Sequence, residues 1–200
     1  MYSVITIGRE YGSGGREVGT LVARSLGVPF YDNEILTRAA QDSGLCRELL
    51  EKHDEKNSLS GMFAGTASAH MGGGALGLQI PLNQRVFLAQ FDAITKIASE
   101  GPCVIVGRCA DYVLREMRGV LHVFVYASLE KRVERIMRVE NVDAERAREL
   151  IRKTDKQRRS YYNFFADGNW GLRSNYDLML RSDGRDPQAL ADVILQYARL

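Results

Sequence analysis

Short apolar runs alternate with longer amphipathic stretches along this chain. Val4–Ile7, Cys103–Val106 and Leu121–Tyr126 are rich in β-branched residues, the pattern of strands buried on both faces. Val28–Tyr31 and Tyr176–Leu180 read as two further strands. Pro29 cannot donate to a ladder, so the former lies at a sheet edge or starts after the proline. Between the strands, apolar positions recur three and four apart. Val18, Leu21, Val22 and Leu26 line one face of a helix over Arg16–Leu26, and Val86, Phe87, Ala89, Phe91, Ile94 and Ile97 line another over Asn83–Ser99. Shorter patterns predict helices over Asn33–Ala40, capped by Asp32 or Asn33, over Leu45–Lys56 and over Asp111–Met117. Leu129–Val139 and Asp143–Tyr162 are basic amphipathic helices, the second with Asp143 as its cap. Asp186-Pro187 opens a last helix that runs to about Arg199. Strand and helix alternate throughout, which predicts one α/β domain over 1–200 with a mostly parallel sheet covered on both faces.

Composition adds boundaries to this picture. A length of 200 residues suits one domain with one core, and a net charge of +2 supplies no strong field for nucleic acid or a membrane surface. The positive charge is unevenly placed, concentrated between Lys131 and Arg159. Three cysteines, Cys46, Cys103 and Cys109, form no regular framework, which points to reduced thiols and a cytoplasmic location. The first residues lack the basic region of a signal peptide. Ser58–Gln84 is uncharged but too polar and glycine-rich to span a membrane; it reads as a mobile segment and a candidate homodimer contact.

The densest chemical signal is the loop Gly8-Arg9-Glu10-Tyr11-Gly12-Ser13-Gly14-Gly15-Arg16-Glu17 between the first strand and first helix. Glycines let backbone N–H groups turn toward an anion, and a helix N-terminus adds favourable partial charge. The common phosphate-loop pattern G-x-x-x-x-G-K-[ST] is not met. With Gly15 as its last glycine, Arg16 stands for the lysine and Glu17 for the magnesium-binding hydroxyl; with Gly14, Gly15 replaces the lysine. Arg16 still offers phosphate a forked donor, and Ser13 is the nearest hydroxyl. A dinucleotide fingerprint shares Gly12-x-Gly14 and the spacing to Asp32, but its third glycine would fall on Glu17. A ligand-free tight turn would not need four glycines between Gly8 and Gly15.

A second signal lies in the basic helices. Arg132, Arg135 and Arg138 share one helical face, as do Arg152, Asp155, Arg159 and Tyr162 on the next helix, with Arg158 beside them. Such donors stabilise charge on a transferring phosphoryl group, and an Asp among them can hold the forks in place; a solvated basic face is the plain alternative. Tyr161, Tyr162, Phe164 and Phe165 are clustered rather than interleaved with the charges, which speaks against single-stranded nucleic acid. Gly107-Arg108 follows the strand Cys103–Val106, and ligands in open α/β sheets bind at strand carboxyl ends.

Taken together, the glycine loop, Tyr31-Asp32, the block Val104-Ile105-Val106-Gly107-Arg108-Cys109-Ala110-Asp111-Tyr112 and the arginine helices resemble the cytidylate kinase-like family over nearly the whole chain. The resemblance implies the P-loop nucleoside monophosphate kinase fold: three layers, a five-stranded parallel sheet, a monophosphate-binding insertion and a helical lid. It implies an acceptor region over 33–100, with a glycine-rich insertion at about 58–84, and a lid over 130–172. It also implies transfer of the ATP γ-phosphoryl group, with Mg²⁺, to a nucleoside monophosphate, CMP or dCMP first among candidates. On this reading Arg9, Gly12, Ser13, Gly14, Gly15, Arg16 and Glu17 bind ATP; Asp32, Arg108 and Asp111 bind the acceptor; Arg16, Arg152, Asp155, Arg158 and Arg159 act on the transferring group. The rival is a protein of this fold that binds nucleotide or another anion without transferring phosphate. His53, His70 and His122 are too scattered to form a metal site, and the magnesium ligands stay unassigned. Ser182-Asp183-Gly184 reads as part of an adenine pocket or as a plain turn, and Trp170 as a pocket cover or a packing residue.

Overall fold

β1 (Val4–Arg9) runs through the centre of a five-stranded, wholly parallel sheet in the order β2-β3-β1-β4-β5. The computed structural model describes residues 2–52, 81–166 and 168–199. The other strands are β2 (Phe30–Tyr31), β3 (Cys103–Val106), β4 (Val120–Tyr126) and β5 (Leu178–Arg181). β2 sits at the edge and begins after Pro29, satisfying both readings of that proline.

Alternation along the central strands sorts side chains into two cores. Ile5 and Ile7 of β1, Val104 and Val106 of β3, and Leu121, Val123 and Val125 of β4 meet α1 (Gly15–Leu26) and the last helix α8 (Pro187–Ala198). On the other face Val4, Cys103, Ile105 and Val120 meet α2 (Glu34–Ser43), α4 (Leu82–Glu100) and the short α5 (Ala110–Val113). This is the three-layer α/β architecture expected from the sequence.

The helix ends follow their residues. Asp143 accepts from the Arg146 amide at 2.8 Å and opens α7 (Ala144–Phe165); Ser128 does the same for α6 (Leu129–Glu140), and Asp186 with Pro187 for α8. Asn33 precedes α2 but makes no capping bond, because its side chain is used elsewhere. The expected helix Leu45–Lys56 appears as α3 (Arg47–Lys52); its remainder, His53, His70 and the insertion from 58 to 80 lie outside the described residues. The expected helix Asp111–Met117 is shorter, ending at Val113. Among the described residues no helix is long and apolar enough to cross a membrane.

α6 and α7 form a hairpin, turning at Asn141, with a small core of Val133, Ile136, Ala147 and Ile151. Tyr11 of the glycine loop packs into that core, so the hairpin is seated on the loop.

Candidate functional site

The glycine loop links β1 to α1 with Gly12 and Gly14 in the left-handed region, at φ +84° and +81°. Its interior hydrogen bonds are met locally. The Ser13 hydroxyl donates to Glu10 O at 2.9 Å and lies 3.4 Å from the Gly15 amide, and Ser182 Oγ donates to Ser13 O at 2.8 Å. Ser13 is therefore a buried brace of the loop, and Ser182 ties the loop to the end of β5. At Gly15 a Cβ would lie 2.6 Å from Arg9 Cβ and 3.1 Å from Val125 Cβ. In the alignment that puts the lysine at position 15, the place where it would start is filled by the stem of Arg9.

The hairpin closes over one side of the loop. Asp155 accepts from the Tyr11 amide at 2.8 Å and from Arg132 Nη1, and Arg132 also lies 3.5 Å from Glu10. Tyr11 donates its hydroxyl to Glu140 at 2.9 Å; burial and that carboxylate push its phenol up to about 12. Arg158 is buried and donates to Arg9 O at 3.2 Å, its guanidinium 5.7 Å from the Tyr11 ring. Arg135 pairs with Glu17 on the mouth of the loop.

At the carboxyl end of the sheet, arginines converge on Asp32. Gly107, Arg108 and Cys109 are consecutively left-handed, at φ +79°, +53° and +55°. For the two non-glycine residues this conformation costs about 1–2 kcal/mol each. The turn drives Arg108, fully buried, back under the strand ends, where Nη1 donates to Asp32 at 3.0 Å and Nη2 to Asn33 Oδ1 at 3.1 Å. Arg16 Nε donates to the other Asp32 oxygen at 2.7 Å while the rest of its side chain stays exposed. Burial pushes the Asp32 carboxyl up, but the charges of Arg9 and Arg108 and hydrogen bonds from Arg16 and Arg108 outweigh it and hold it below the usual carboxylate range. Asp32 is thus an arginine clamp, not the helix cap that its position also allowed.

Two cavities meet at the loop. One of about 570 Å³ is walled by Arg9, Arg16, Asp32, Arg158, Tyr11 and Glu17 among others. The second, about 280 Å³, runs from Gly12–Gly14 past Lys131 and Arg138 to Ser182, Gly184 and Pro187.

The sequence-predicted residues divide accordingly. Arg9, Gly12, Gly14, Gly15, Arg16, Glu17, Asp32 and Arg158 come together around the larger cavity, with Arg108 bound to its Asp32 wall. Asp111 does not join them. It is buried behind Arg108, accepting from Tyr162 Oη at 2.7 Å, and burial pushes its carboxyl up to about 6. Asp155 sits on the loop backbone, while Arg152 is exposed and Arg159 stacks 5.8 Å from Trp170, outside both cavities. Trp170 itself packs edge-on against Phe124. Sequence reasoning placed Arg132 and Arg135 on a helical face but not at the site; only the seating of the hairpin brings them to the loop. It also missed Ser182 as a loop brace, for which no local signal exists. Among the described residues no group of three His, Cys, Asp or Glu could hold a metal ion.

Comparison with known proteins bears on the family and the fold. The profile of the cytidylate kinase-like family matches residues 4–184. A cytidylate kinase of Methanopyrus kandleri is 27% identical over 186 residues, covering 88% of this chain and 83% of the relative. A uronate isomerase of Corynebacterium glutamicum is 31% identical over 97 residues; the match takes in 48% of this chain, which spans only 19% of that protein's length. Among solved structures, an uncharacterized protein from Eubacterium ventriosum superposes with a TM-score of 0.72 at 26% identity, covering 98% of both chains. The shikimate kinase of Acinetobacter baumannii shares the fold at a TM-score of 0.54 and 15% identity, covering 98% of this chain and 93% of its own.

Proposed function

The chain belongs to the cytidylate kinase-like family, and on that premise we propose that it moves the γ-phosphoryl group of ATP to a nucleoside monophosphate, with CMP and dCMP the first acceptors to try. The observation that carries this reading is the pair of cavities that meet at the glycine loop, one of them walled by arginines. The smaller cavity takes the adenosine end of ATP, between the α6 cations and the Ser182–Pro187 turn. The loop amides take its phosphates, and the larger cavity takes the acceptor.

The residues fit a nucleotide triphosphate. Gly12 and Gly14 let α6 approach the loop, since a Cβ would lie 3.0 Å from Arg132 O at the first and 3.2 Å from Arg135 Cζ at the second, and the arginines supply the charge that a loop lysine would otherwise give. Mg²⁺ enters as part of MgATP, held chiefly by the phosphates, since the Ser13 hydroxyl is committed to the loop. In this assignment Arg16 and Arg158 face the acceptor phosphate, Arg108 sets Asp32, and Asp32 fixes the Arg16 fork. Asp155 positions the loop through the Tyr11 amide and Arg132. The acceptor region is 33–100, and the α6–α7 hairpin with the residues after it, 130–172, is the lid. Catalysis is orientation plus charge stabilisation, with no covalent enzyme intermediate.

A binding-only role is the second reading, favoured by the sealed lysine position at Gly15 and the Arg135–Glu17 pair at the loop mouth. Incubation with MgATP and each nucleoside monophosphate separates the two. Acceptor-dependent release of ADP, strongest with CMP or dCMP, supports the kinase. Nucleotide binding without turnover across the panel replaces it with the binding role.

A further inference from the structure

The two cavities share Gly12, Gly14 and Arg135, and among the described residues Arg135 is the one cation on the walls of both. It stands where the donor and acceptor sides meet. Its guanidinium lies against the loop: a Cβ on Gly14 would be 3.2 Å from Arg135 Cζ and 3.3 and 3.5 Å from its terminal nitrogens. Its ion-pair partner is Glu17, on the first turn of α1, whose side chain is about half exposed (49%). The neighbouring arginines are differently placed. Arg132 is tied to Asp155 with only 11% of its side chain exposed, and Arg138 lines the smaller cavity alone.

We propose that Arg135 performs the task of the absent loop lysine, and that Glu17 is a resident substitute for the phosphoryl group, holding the guanidinium at the junction until a triphosphate displaces it. The inference rests on the kinase reading for its chemistry. The bond from the γ-phosphorus to the β,γ-bridging oxygen breaks as a bond to an acceptor phosphate oxygen forms. ADP leaves with the electron pair, and Arg135 donates hydrogen bonds to the transferring oxygens without giving up its proton. The exchange is favourable because a triphosphate carries more charge than one carboxylate, and the half-exposed Glu17 returns to water at little cost.

The test compares the full chain with Arg135→Met, Arg135→Lys and Glu17→Gln. Calorimetry with Mg²⁺ measures binding of ADP and of a non-hydrolysable ATP analogue, and steady-state assays measure transfer. The wild type should prefer the triphosphate analogue by about tenfold. Arg135→Met should erase that preference while leaving ADP binding within about threefold, and should lower kcat by about a hundredfold or more. Arg135→Lys should restore part of both, and Glu17→Gln should tighten triphosphate binding severalfold. Retention of the preference in Arg135→Met, or weaker triphosphate binding in Glu17→Gln, overturns the inference. If the wild type binds nucleotide but transfers to no acceptor, the kinase reading fails alone, because the binding preference still decides the role of Arg135. A wild type that binds neither nucleotide overturns both.

Discussion

Replacing Arg108 by Met probes the arginine clamp at its deepest point. The Arg108 side chain is 0% exposed and Asp32 1%, so the substitution leaves a carboxylate stranded away from water. Removing one partner of a buried pair costs about 3–5 kcal/mol. Asp32 keeps its 2.7 Å bond from Arg16 and the field of Arg9, which places the expected loss near the lower end, about 3 kcal/mol. For a domain of this size that is a fall in Tm of about 6–12 °C. Thermal and urea unfolding of Arg108→Met, Asp32→Asn and the double variant measure it. The double variant should cost less than the sum of the singles by about 2 kcal/mol, since the two groups are in contact. The pH dependence has a definite sign. Asp32 has a depressed carboxyl, so the stability it lends is present above its unfolded pKa and is lost as pH falls through the folded value. The gap between wild type and Arg108→Met should therefore close in acid. A loss under about 1 kcal/mol, or strict additivity in the double variant, would refute the clamp.

Asp111 predicts the opposite pH behaviour: its carboxyl is raised to about 6, so the wild type loses stability as pH rises from about 4 to 7. Asp111→Asn keeps an acceptor for Tyr162, and its stability relative to wild type should improve across that window by up to about 3 kcal/mol, read from urea midpoints at each pH. Gly15→Ala should destabilise by about 1–3 kcal/mol, because the 2.6 Å and 3.1 Å contacts are to Cβ atoms that cannot swing aside. Gly27→Ala, with nothing within 4 Å and only a φ of +64° against it, should cost about 1 kcal/mol in the same melt. Gly14→Val should abolish the thermal stabilisation by MgATP, and an unchanged shift would place the nucleotide elsewhere.

The strands and long helices were legible because burial on two faces leaves a run such as Cys103–Val106 and burial on one leaves a period such as that of Asn83–Ser99. The glycine loop was legible for a related reason, since positive φ at Gly12 and Gly14 restricts residue type. Asp32 was ambiguous: a residue before a helix reads as a cap until Arg108, 76 positions away, is seen to hold it. The surroundings of Asp111 were hidden for the same reason, since its partner Tyr162 lies 51 positions away. Three successive left-handed residues, Gly107 to Cys109, make the turn after which Arg108 reaches Asp32 and Asp111 meets Tyr162. Arg135 was legible only as one of three arginines on a helical face, because its place at the loop depends on how the hairpin sits on Tyr11.

The tight contact between Gly15 and Arg9 limits how the loop can be redesigned. Lysine installed at position 15 would drive its stem into a neighbour fixed on the central strand, so that substitution alone does not give the commoner motif. Position 9 would have to shrink first, and that intermediate would give up a cation beside Asp32. Arginine at position 9 and a long side chain at position 15 therefore exclude each other on this backbone, and the loop carries the arginine.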